Sequence, residues 1–292
     1  MAVSMARAFG VTAVATPTAG NAGGALSAYA ARAGMACYVF MPDDTPVVNQ
    51  FECVLHGAKV YLVNGLISDC GRIVREGTPH MDWFDMSTLK EPYRLEGKKT
   101  MGLELADQLD WSWPEVVLYP TGGGTGLIGI WKAVQELAAM DWVTDGTQPR
   151  LVSCQSDGCA PIARAYEADA RFAEPFENAA TIASGLRVPV AVGDFMILDA
   201  VRASGGFAAS VPDDELVTWM ERVSSETGVA LCPESAACFG VLERGRRDGR
   251  IARDERVVVF NTGAAQKYIE SMPIALPRLD QQVPIEWQEL RD

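Results

Sequence analysis

The sequence predicts an α/β protein built from two doubly wound open sheets. Short apolar runs alternate with amphipathic helical segments along most of the 292 residues, which is typical of parallel sheets covered by helices. A unit of strand, glycine-rich turn and helix occurs twice, over residues 11–33 and 115–137. The chain is also long enough for two domains with well-buried cores.

The first part of the chain contains four predicted helices, the last of them a short one over residues 68–77. A helix over residues 1–9 has no capping residue, whereas a helix over 21–33 begins at Asn21, which stands where an N-cap belongs. Asp44 or Thr45 is expected to cap the third. Apolar periodicity predicts that this helix turns five side chains inward: Val47, Val48, Phe51, Val54 and Leu55. The intervening strands are predicted at residues 11–16, 35–41 and 58–63.

The second part repeats the alternation after an interruption. Residues 80–97 lack periodicity and are predicted to form a loop, after which Lys98 opens a helix running to about Leu109. Two lysines in a first turn oppose the helix dipole, so this start is locally unfavourable. From Met272 onward no regular structure is expected. Further strands are predicted at 115–120, 150–154, 207–211 and 256–261, and further helices at 124–137, 194–203, 213–227 and from 233.

The interruption also predicts the domain junction. We expect a small α/β domain over residues 1–95 and a large α/β domain over residues 96–292. The first contains the turn Thr18-Ala19-Gly20-Asn21-Ala22-Gly23, called here the asparagine loop. The second contains Thr121-Gly122-Gly123-Gly124-Thr125-Gly126, called here the phosphate loop.

Composition limits the partners. The chain has 38 acidic and 25 basic residues, a net charge of −13, which disfavours nucleic acid and anionic membrane surfaces. No apolar run is long enough to cross a bilayer. Seven cysteines without framework spacing favour reduced thiols and a cytoplasmic location. Only His56 and His80 are available as imidazole ligands, so no metal site is predicted.

The phosphate loop has one evident chemical use. Glycines let backbone N–H groups converge, and the start of the following helix adds the positive end of its dipole, so the loop can bind an anion. The asparagine loop offers a second set of such groups. Two anion sites predict either two ligands or one ligand with two acidic ends.

Three kinds of phosphate ligand compete for the phosphate loop. Gly124-Thr125-Gly126-Leu127-Ile128-Gly129 matches the dinucleotide fingerprint, but the next strand ends in Cys154-Gln155-Ser156 instead of an acidic residue. A nicotinamide enzyme is therefore a weakened rival. ATP hydrolysis is disfavoured because Gly-Lys-Ser/Thr is missing after the glycines. The third candidate is a cofactor with one phosphate, such as a phosphorylated pyridine, for which Thr262 could contact the ring nitrogen and Asn21 the ring hydroxyl.

These segments together resemble the fold type II pyridoxal phosphate enzymes, whose fold is that of the tryptophan synthase β subunit. The asparagine loop, the phosphate loop and Thr262-Gly263 are similar to their three cofactor-contacting segments. Residues 96–102 (Glu-Gly-Lys-Lys-Thr-Met-Gly) and 119–124, with Trp131-Lys132-Ala133, more narrowly resemble threonine synthases and proteins grouped with them. The resemblance covers nearly the whole chain.

The resemblance implies roles for individual residues. Asn21 is expected on the ring oxygen of pyridoxal 5'-phosphate and Thr262 on its ring nitrogen. A neutral threonine there restrains the ring as an electron sink, which suits elimination or replacement at an amino acid. Residues expected on the cofactor phosphate are Gly122, Gly123, Gly124, Thr125 and Gly126. Residues expected on the substrate are Thr18, Ala19, Gly20 and Ala22 at its carboxylate, and Lys98 and Lys99 at its phosphate.

The chain departs from the family pattern in its lysines. Family members carry the Schiff-base lysine in a Ser-Phe-Lys-x-Arg-Gly stretch before the first helix, and this stretch does not occur here. We therefore expect no catalytic lysine in this chain and expect an N-terminal segment to be missing from it. Smaller departures are Ala264-Ala265 and Ser235, where glycine is common.

The expected function is that of a pyridoxal phosphate-dependent lyase resembling threonine synthase, which converts O-phosphohomoserine and water to threonine and phosphate. The chain by itself is expected to be inactive without the lysine. Two alternatives are a serine or threonine ammonia-lyase and a non-catalytic protein that binds the cofactor or an amino acid. The expected partner is a small amino-acid substrate, and a homodimer is expected from the resemblance.

Overall fold

The computed structural model describes residues 1–143, 147–272, 276–280 and 282. The segment after Met272, which is expected to be irregular, lies largely outside these residues. The helices are α1 (Ala2–Ala8), α2 (Asn21–Ala33), α3 (Val47–Leu55), α4 (Ile67–Met81), α5 (Tyr93–Gln108), α6 (Thr125–Ala139), α7 (Pro161–Glu167), α8 (Asp194–Ala203), α9 (Asp213–Thr227) and α10 (Pro233–Arg247). The strands are β1 (Ala13–Pro17), β2 (Ala36–Pro42), β3 (Lys59–Val63), β4 (Phe84–Asp85), β5 (Val116–Pro120), β6 (Arg150–Ser156), β7 (Phe207–Val211) and β8 (Val257–Val259).

The strands form two four-stranded sheets, and every strand pair in them is parallel. The first sheet has the order β3-β2-β1-β4 and the second has the order β7-β6-β5-β8. Strands β1 and β5, which come first in the chain order of their sheets, lie at interior positions. The later strands are therefore added first on one side of β1 or β5 and then on the other. This confirms the predicted pair of doubly wound open sheets. Ligands of such sheets bind at the reversal point, beyond the carboxyl ends of β1 and β5.

The second sheet has helices on both faces, which explains its continuous apolar strands. All five residues of β5 are buried, and so are six of the seven residues of β6. Val117 packs in a core with residues of α5, α6 and α8, whereas Val116 and Leu118 pack in a second core with α9 and α10. Strands buried on both faces have no polar side, which is why β5 reads as an unbroken apolar run.

Helix α2 starts differently from the prediction that Asn21 caps it. Gly20 is the N-cap residue, and Asn21 is the first residue of the helix without a capping hydrogen bond. The capping interaction comes from Thr18, whose Oγ1 accepts the N–H groups of Gly20 (3.2 Å) and Gly23 (3.1 Å). The prediction was wrong because an earlier hydroxyl already fills this role, which leaves the Asn21 side chain for tertiary contacts.

Helix α3 faces the opposite way from the prediction. Phe51 is 63% exposed and Leu55 is 68% exposed, whereas Asn49 and Cys53 are fully buried. The N-cap residue is Pro46, which has no side chain that can cap the helix. The N–H of Val47 instead donates to the Glu270 carboxylate (3.0 Å). The apolar periodicity correctly predicts a helix. The face that packs toward α2 is the one with the small Cys53 side chain, and the face with the larger apolar side chains points outward.

Helix α5 begins earlier than predicted, and the preceding segment is not a continuous loop. Strand β4 lies within it, and the Glu91 carboxylate accepts the N–H of Arg94 (3.0 Å), so that the helix starts at Tyr93. Lys98 and Lys99 therefore lie in the second turn, where the conflict with the helix dipole is weaker. The predicted domain boundary after residue 95 falls inside α5 and stays a prediction.

No helix in the part of the chain that the structure describes is both long and apolar enough to cross a membrane.

The start of α5 offers a test of this capping arrangement. We expect Glu91→Ala to lower the free energy of unfolding by about 1–2 kcal/mol, because it removes the acceptor for the first free N–H groups of the helix. Urea unfolding measures this. The control is Asp107→Ala, an exposed position of the same helix, for which a change within about 0.5 kcal/mol is expected. Equal stability of the two variants would contradict capping by Glu91.

Candidate functional site

The carboxyl ends of the two sheets face a shared cavity of about 510 Å³. The asparagine loop follows β1 and the phosphate loop follows β5, so both enter the cavity from strand ends. Thr262, which follows β8, joins them. The predicted site residues that line the cavity are Thr18, Ala19, Gly20, Asn21, Ala22, Lys98, Gly123 and Thr262. The other predicted phosphate-binding residues, Gly122, Gly124, Thr125 and Gly126, belong to the same turn as Gly123.

The phosphate loop presents unused hydrogen-bond donors. Among the described residues, no protein acceptor receives the backbone N–H groups of residues 122–126, and the first helical bond of α6 is made by Ile128 (to the carbonyl of Gly124, 3.0 Å). Free N–H groups at a helix start form an anion site. Two positions of the loop require glycine for different reasons: the backbone of Gly124 has φ +79°, and a side chain on Gly126 would collide with the Tyr119 hydroxyl.

Gln155 holds the base of the phosphate loop. Its Nε2 donates to the carbonyl of Thr121 (2.9 Å), and its Oε1 accepts the N–H groups of Ile162 (2.9 Å) and Ala163 (3.0 Å) at the start of α7. The Thr121 N–H donates to the Cys154 carbonyl (2.9 Å). Both Thr121 and Gln155 are fully buried. The loop is therefore fixed by two hydrogen bonds to β6, one of them from a side chain that sequence reasoning did not select.

The asparagine loop contacts the other side of the cavity. The Asn21 Nδ2 donates to the carbonyl of Thr262 (3.3 Å), and its Oδ1 accepts a hydrogen bond from Lys267 Nζ (2.8 Å). Lys267 also forms an ion pair with Glu52 (2.7 Å). The structure thus brings Asn21 and Thr262 together, as the sequence predicts, but the amide bonds to protein groups on both of its ends.

Thr262 is held by the start of α10. Its N–H donates to Ser235 Oγ (3.0 Å), and its hydroxyl lies 3.9 Å from the Cys232 thiol. The backbone is thereby anchored, whereas the hydroxyl has only this long sulfur contact among the described residues. A hydroxyl with a free lone pair and a free proton can serve a ligand on the cavity side.

The two predicted substrate lysines lie in different environments. Lys98 lines the cavity; water reaches it, but surrounding protein and the Arg94 guanidinium lower the pKa of its ammonium group. Lys99 instead joins an ion-pair cluster with Glu136 (2.8 Å) and Glu96 (2.7 Å), and these contacts raise its pKa. Lys132 completes the cluster. Of these two lysines, Lys98 is therefore the one positioned toward a cavity ligand, whereas Lys99 is held by Glu96 and Glu136.

Four cations line the cavity at the side of β4 and α5. They lie within residues 75–98, and the last three are spaced four residues apart, a spacing that was visible in the sequence: Arg75, Lys90, Arg94 and Lys98, with Asp85 among them. The Arg94 guanidinium donates to the carbonyl of Met86 (2.6 Å). In a chain with net charge −13, this grouping creates a local positive field suited to an anion.

Glu234 is a second site residue that sequence reasoning missed. It lines the cavity, is 5% exposed and follows Pro233 in the first turn of α10. Its Oε1 accepts the N–H of Gly185 (2.8 Å). Burial raises the pKa of its carboxyl above the usual range, despite this hydrogen bond. A glutamate after proline reads as an ordinary helix start, so the sequence offered only a weak signal.

The fold and the cavity define an α/β enzyme class that holds a phosphate-bearing ligand between two sheets. The family described as "Pyridoxal-phosphate dependent enzyme" matches residues 1–263. The chain belongs to this family, whose cofactor is the one the sequence predicts. The match favours pyridoxal phosphate over the rival nicotinamide cofactor.

Two relatives that match most of the chain are named threonine synthase. The chain is 32% identical over 266 residues to "Threonine synthase" of Methanocaldococcus jannaschii, covering 91% of this chain and 65% of that protein. It is 33% identical over 262 residues to "Threonine synthase" of Methanosarcina acetivorans, covering 89% and 64%. The chain thus spans about two thirds of the length of each. The processed form of threonine deaminase isoform 2 from Solanum lycopersicum has the same fold, with TM-score 0.72 and 18% identity over 89% of this chain and 73% of that one.

The residues present fit pyridoxal phosphate. The unpaired N–H groups of residues 122–126 suit a phosphate. The cavity, at about 510 Å³, is of the size that holds a small organic ligand. The Thr262 hydroxyl has capacity for one ring contact, and Asn21 can make another if its amide turns from its present partners.

Gln155→Glu tests whether the side chain holds the phosphate loop. The variant keeps the acceptor for α7 but places a carboxylate oxygen against the Thr121 carbonyl, so we expect a loss of about 2–3 kcal/mol in the free energy of unfolding. Urea unfolding measures this, with Gln135→Glu at an exposed position of α6 as control. Unchanged stability of Gln155→Glu would show that the loop does not depend on this bond.

Proposed function

We propose that this chain forms the cofactor and substrate site of a pyridoxal phosphate-dependent lyase of the threonine synthase type. The observation that carries the proposal is the presence of two anion sites in one cavity. The phosphate loop offers unpaired N–H groups, and Lys98 with the neighbouring cations offers positive charge. A phosphorylated cofactor and a phosphorylated amino acid together require two such sites.

The resemblance to named threonine synthases supports this choice of substrate class. O-phosphohomoserine carries a carboxylate and a phosphate, which suit the asparagine loop and the Lys98 side of the cavity respectively. Arg94 and Lys90 increase the charge available to the phosphate as it leaves.

Each proposed residue has a physical task. Residues 122–126 orient the cofactor phosphate, and Thr262 accepts or donates one hydrogen bond at the ring nitrogen. In the asparagine loop the backbone N–H groups of Ala19, Asn21 and Ala22, which have no acceptor among the described residues, hold the substrate carboxylate, and Lys98 holds the substrate phosphate. When bound, pyridoxal phosphate supplies the electron-withdrawing ring for chemistry at the substrate. The base that moves the substrate proton is not assigned to this chain, in keeping with the expectation of no Schiff-base lysine in it.

Threonine deaminase, a neighbour in fold, keeps the ammonia-lyase alternative open. Such an enzyme acts on serine or threonine and needs no site for a substrate phosphate. The four cavity cations favour the phosphorylated substrate over this alternative. A non-catalytic binding protein is the remaining alternative, and it requires the cofactor site without turnover.

The first experiment asks whether the chain binds the cofactor and whether a lysine holds it covalently. We expect pyridoxal phosphate to bind in equilibrium dialysis. We also expect intact mass after borohydride treatment to show no stoichiometric adduct on the chain. An adduct on Lys98 or Lys90, which line the cavity, would contradict the expectation that the chain contains no Schiff-base lysine. Absence of binding would contradict the proposed cofactor site.

Lys98→Ala tests the substrate phosphate site, with Lys99→Ala as the matched neighbour. In the presence of pyridoxal phosphate, we expect Lys98→Ala to weaken O-phosphohomoserine binding about tenfold or more, because a charge-assisted contact is lost. Binding of threonine should be unchanged, and Lys99→Ala should resemble the wild type. Calorimetry measures both ligands. An equal loss for threonine and O-phosphohomoserine would favour the ammonia-lyase alternative.

The expected homodimer stays a proposal, and α3 offers a candidate surface for it. Its outer side exposes Phe51 and Leu55, and the neighbouring edge strand β3 exposes Tyr61 and Leu62. We expect Phe51→Asp to weaken self-association in sedimentation velocity, because a charge enters an apolar contact. Met140→Asp, at an exposed apolar position after α6, is the control. A wild-type chain that sediments as a monomer would argue against the dimer.

A further inference from the structure

Lys267 connects the two halves of the site through the side chain of Asn21. Its ammonium group donates to Asn21 Oδ1 (2.8 Å) and forms an ion pair with Glu52 (2.7 Å). Glu52 in turn packs against Gly24, where an added side chain would collide with the Glu52 carboxylate. The two acceptors thus lie on the packed helices α2 and α3, and two short contacts fix the position of the ammonium group.

The partners of Asn21 determine which way its amide points. An ammonium group has donors only, so the end of the amide beside Lys267 has to be the oxygen. The other end is the nitrogen, which donates to the carbonyl of Thr262 (3.3 Å), a group that only accepts. Gly263 leaves room for this nitrogen, since a Cβ atom there would lie 3.0 Å from it. Lys267 therefore keeps a donor, and not an acceptor, on the Thr262 side of the amide.

The bond between Asn21 and Thr262 joins two residues of the cavity wall. Both residues line the cavity, whereas Lys267 lies outside this lining. The bond from Nδ2 to the Thr262 carbonyl is exposed and long, so a ligand oxygen can replace that carbonyl at small cost. The bond from Lys267 is shorter and partly buried. A ligand between Asn21 and Thr262 is therefore expected to displace the first bond and to leave the second in place.

We propose that Lys267 is a positioning residue, which holds the Asn21 amide so that its nitrogen donates a hydrogen bond to the ring oxygen of bound pyridoxal phosphate. The inference rests on the proposed function for the cofactor and for its contact with Asn21. Without Lys267 the amide can present either end, and its oxygen end would repel an ionised ring oxygen. The positive charge behind the amide also strengthens the Nδ2–H group as a donor.

Lys267→Met tests this role with two ligands that differ only in the ring oxygen. The first is pyridoxine 5'-phosphate, which has no aldehyde and forms no covalent bond with a lysine; the second has hydrogen in place of the ring hydroxyl. We expect Lys267→Met to weaken binding of the first ligand about five- to tenfold, because one hydrogen bond is lost, and binding of the second less than about twofold. Calorimetry measures both. Lys59→Met, at an exposed position of β3, is the control and should match wild type.

Two further variants separate the contact with Asn21 from the ion pair with Glu52. In an Asn21→Ala background, Lys267→Met should cause no further loss for pyridoxine 5'-phosphate, because a residue that acts through Asn21 has no effect without it. Glu52→Gln removes the ion pair but keeps the ammonium group, so it should weaken binding less than Lys267→Met does. A further loss in the Asn21→Ala background, or an equal loss in Glu52→Gln, would overturn the proposal. Thermal unfolding of each variant confirms that the folded protein is compared.

The pair of ligands also separates this inference from the proposed function. If wild type binds pyridoxine 5'-phosphate but Lys267→Met weakens both ligands equally, the role of Lys267 is wrong while the cofactor site stands. The same conclusion follows if Lys267→Met binds both ligands as well as wild type does. If wild type binds neither ligand, the proposed function fails and the role of Lys267 fails with it.

Discussion

The arrangement of the site depends on the hydrogen bonds that fix Thr121 to strand β6. The Thr121 N–H and carbonyl both bond to β6, to the backbone of Cys154 and to the side chain of Gln155. Because Gln155 also caps α7, one buried amide couples the phosphate loop to the next helix. With its base fixed, the loop can leave its N–H groups unpaired toward a ligand without collapsing onto protein acceptors.

The second half of the site is held by contacts that cross between the two sheets. Arg187 pairs with Asp44, and Ser184 donates to the Ala19 carbonyl (3.1 Å). Lys267 reaches Glu52 on α3. Of these three contacts, the Ser184–Ala19 bond joins residues that line the cavity, whereas the two ion pairs connect the halves outside that lining. The buried cores, by contrast, lie within each half.

The sequence predicted what depends on local pattern. Strand β5 was predictable because a strand covered on both faces is apolar at every position, and the turn after it because Gly124 needs a positive φ. Two kinds of feature could not be predicted from the sequence. The outward face of α3 depends on what packs against Cys53, and the grouping of the cavity cations depends on how the chain from Arg75 to Lys98 turns these side chains toward one cavity. Glu234 was missed because its burial is set by the loop around Gly185 and by Tyr268.

Asn21 has a different structural role from the helix cap that the sequence predicts. As a helix cap it would have used its Oδ1 on the helix, but Thr18 caps α2 instead, and the Asn21 amide bonds to Thr262 and Lys267. A ring placed between Asn21 and Thr262 has to compete with a direct bond of 3.3 Å, which is long for an amide donor and therefore weak. Lys267 has a second partner in Glu52, so its ammonium group stays in place while the Asn21 nitrogen changes partner. The contacts that close this side of the cavity can thus be exchanged for ligand contacts at small cost, whereas those below the phosphate loop cannot.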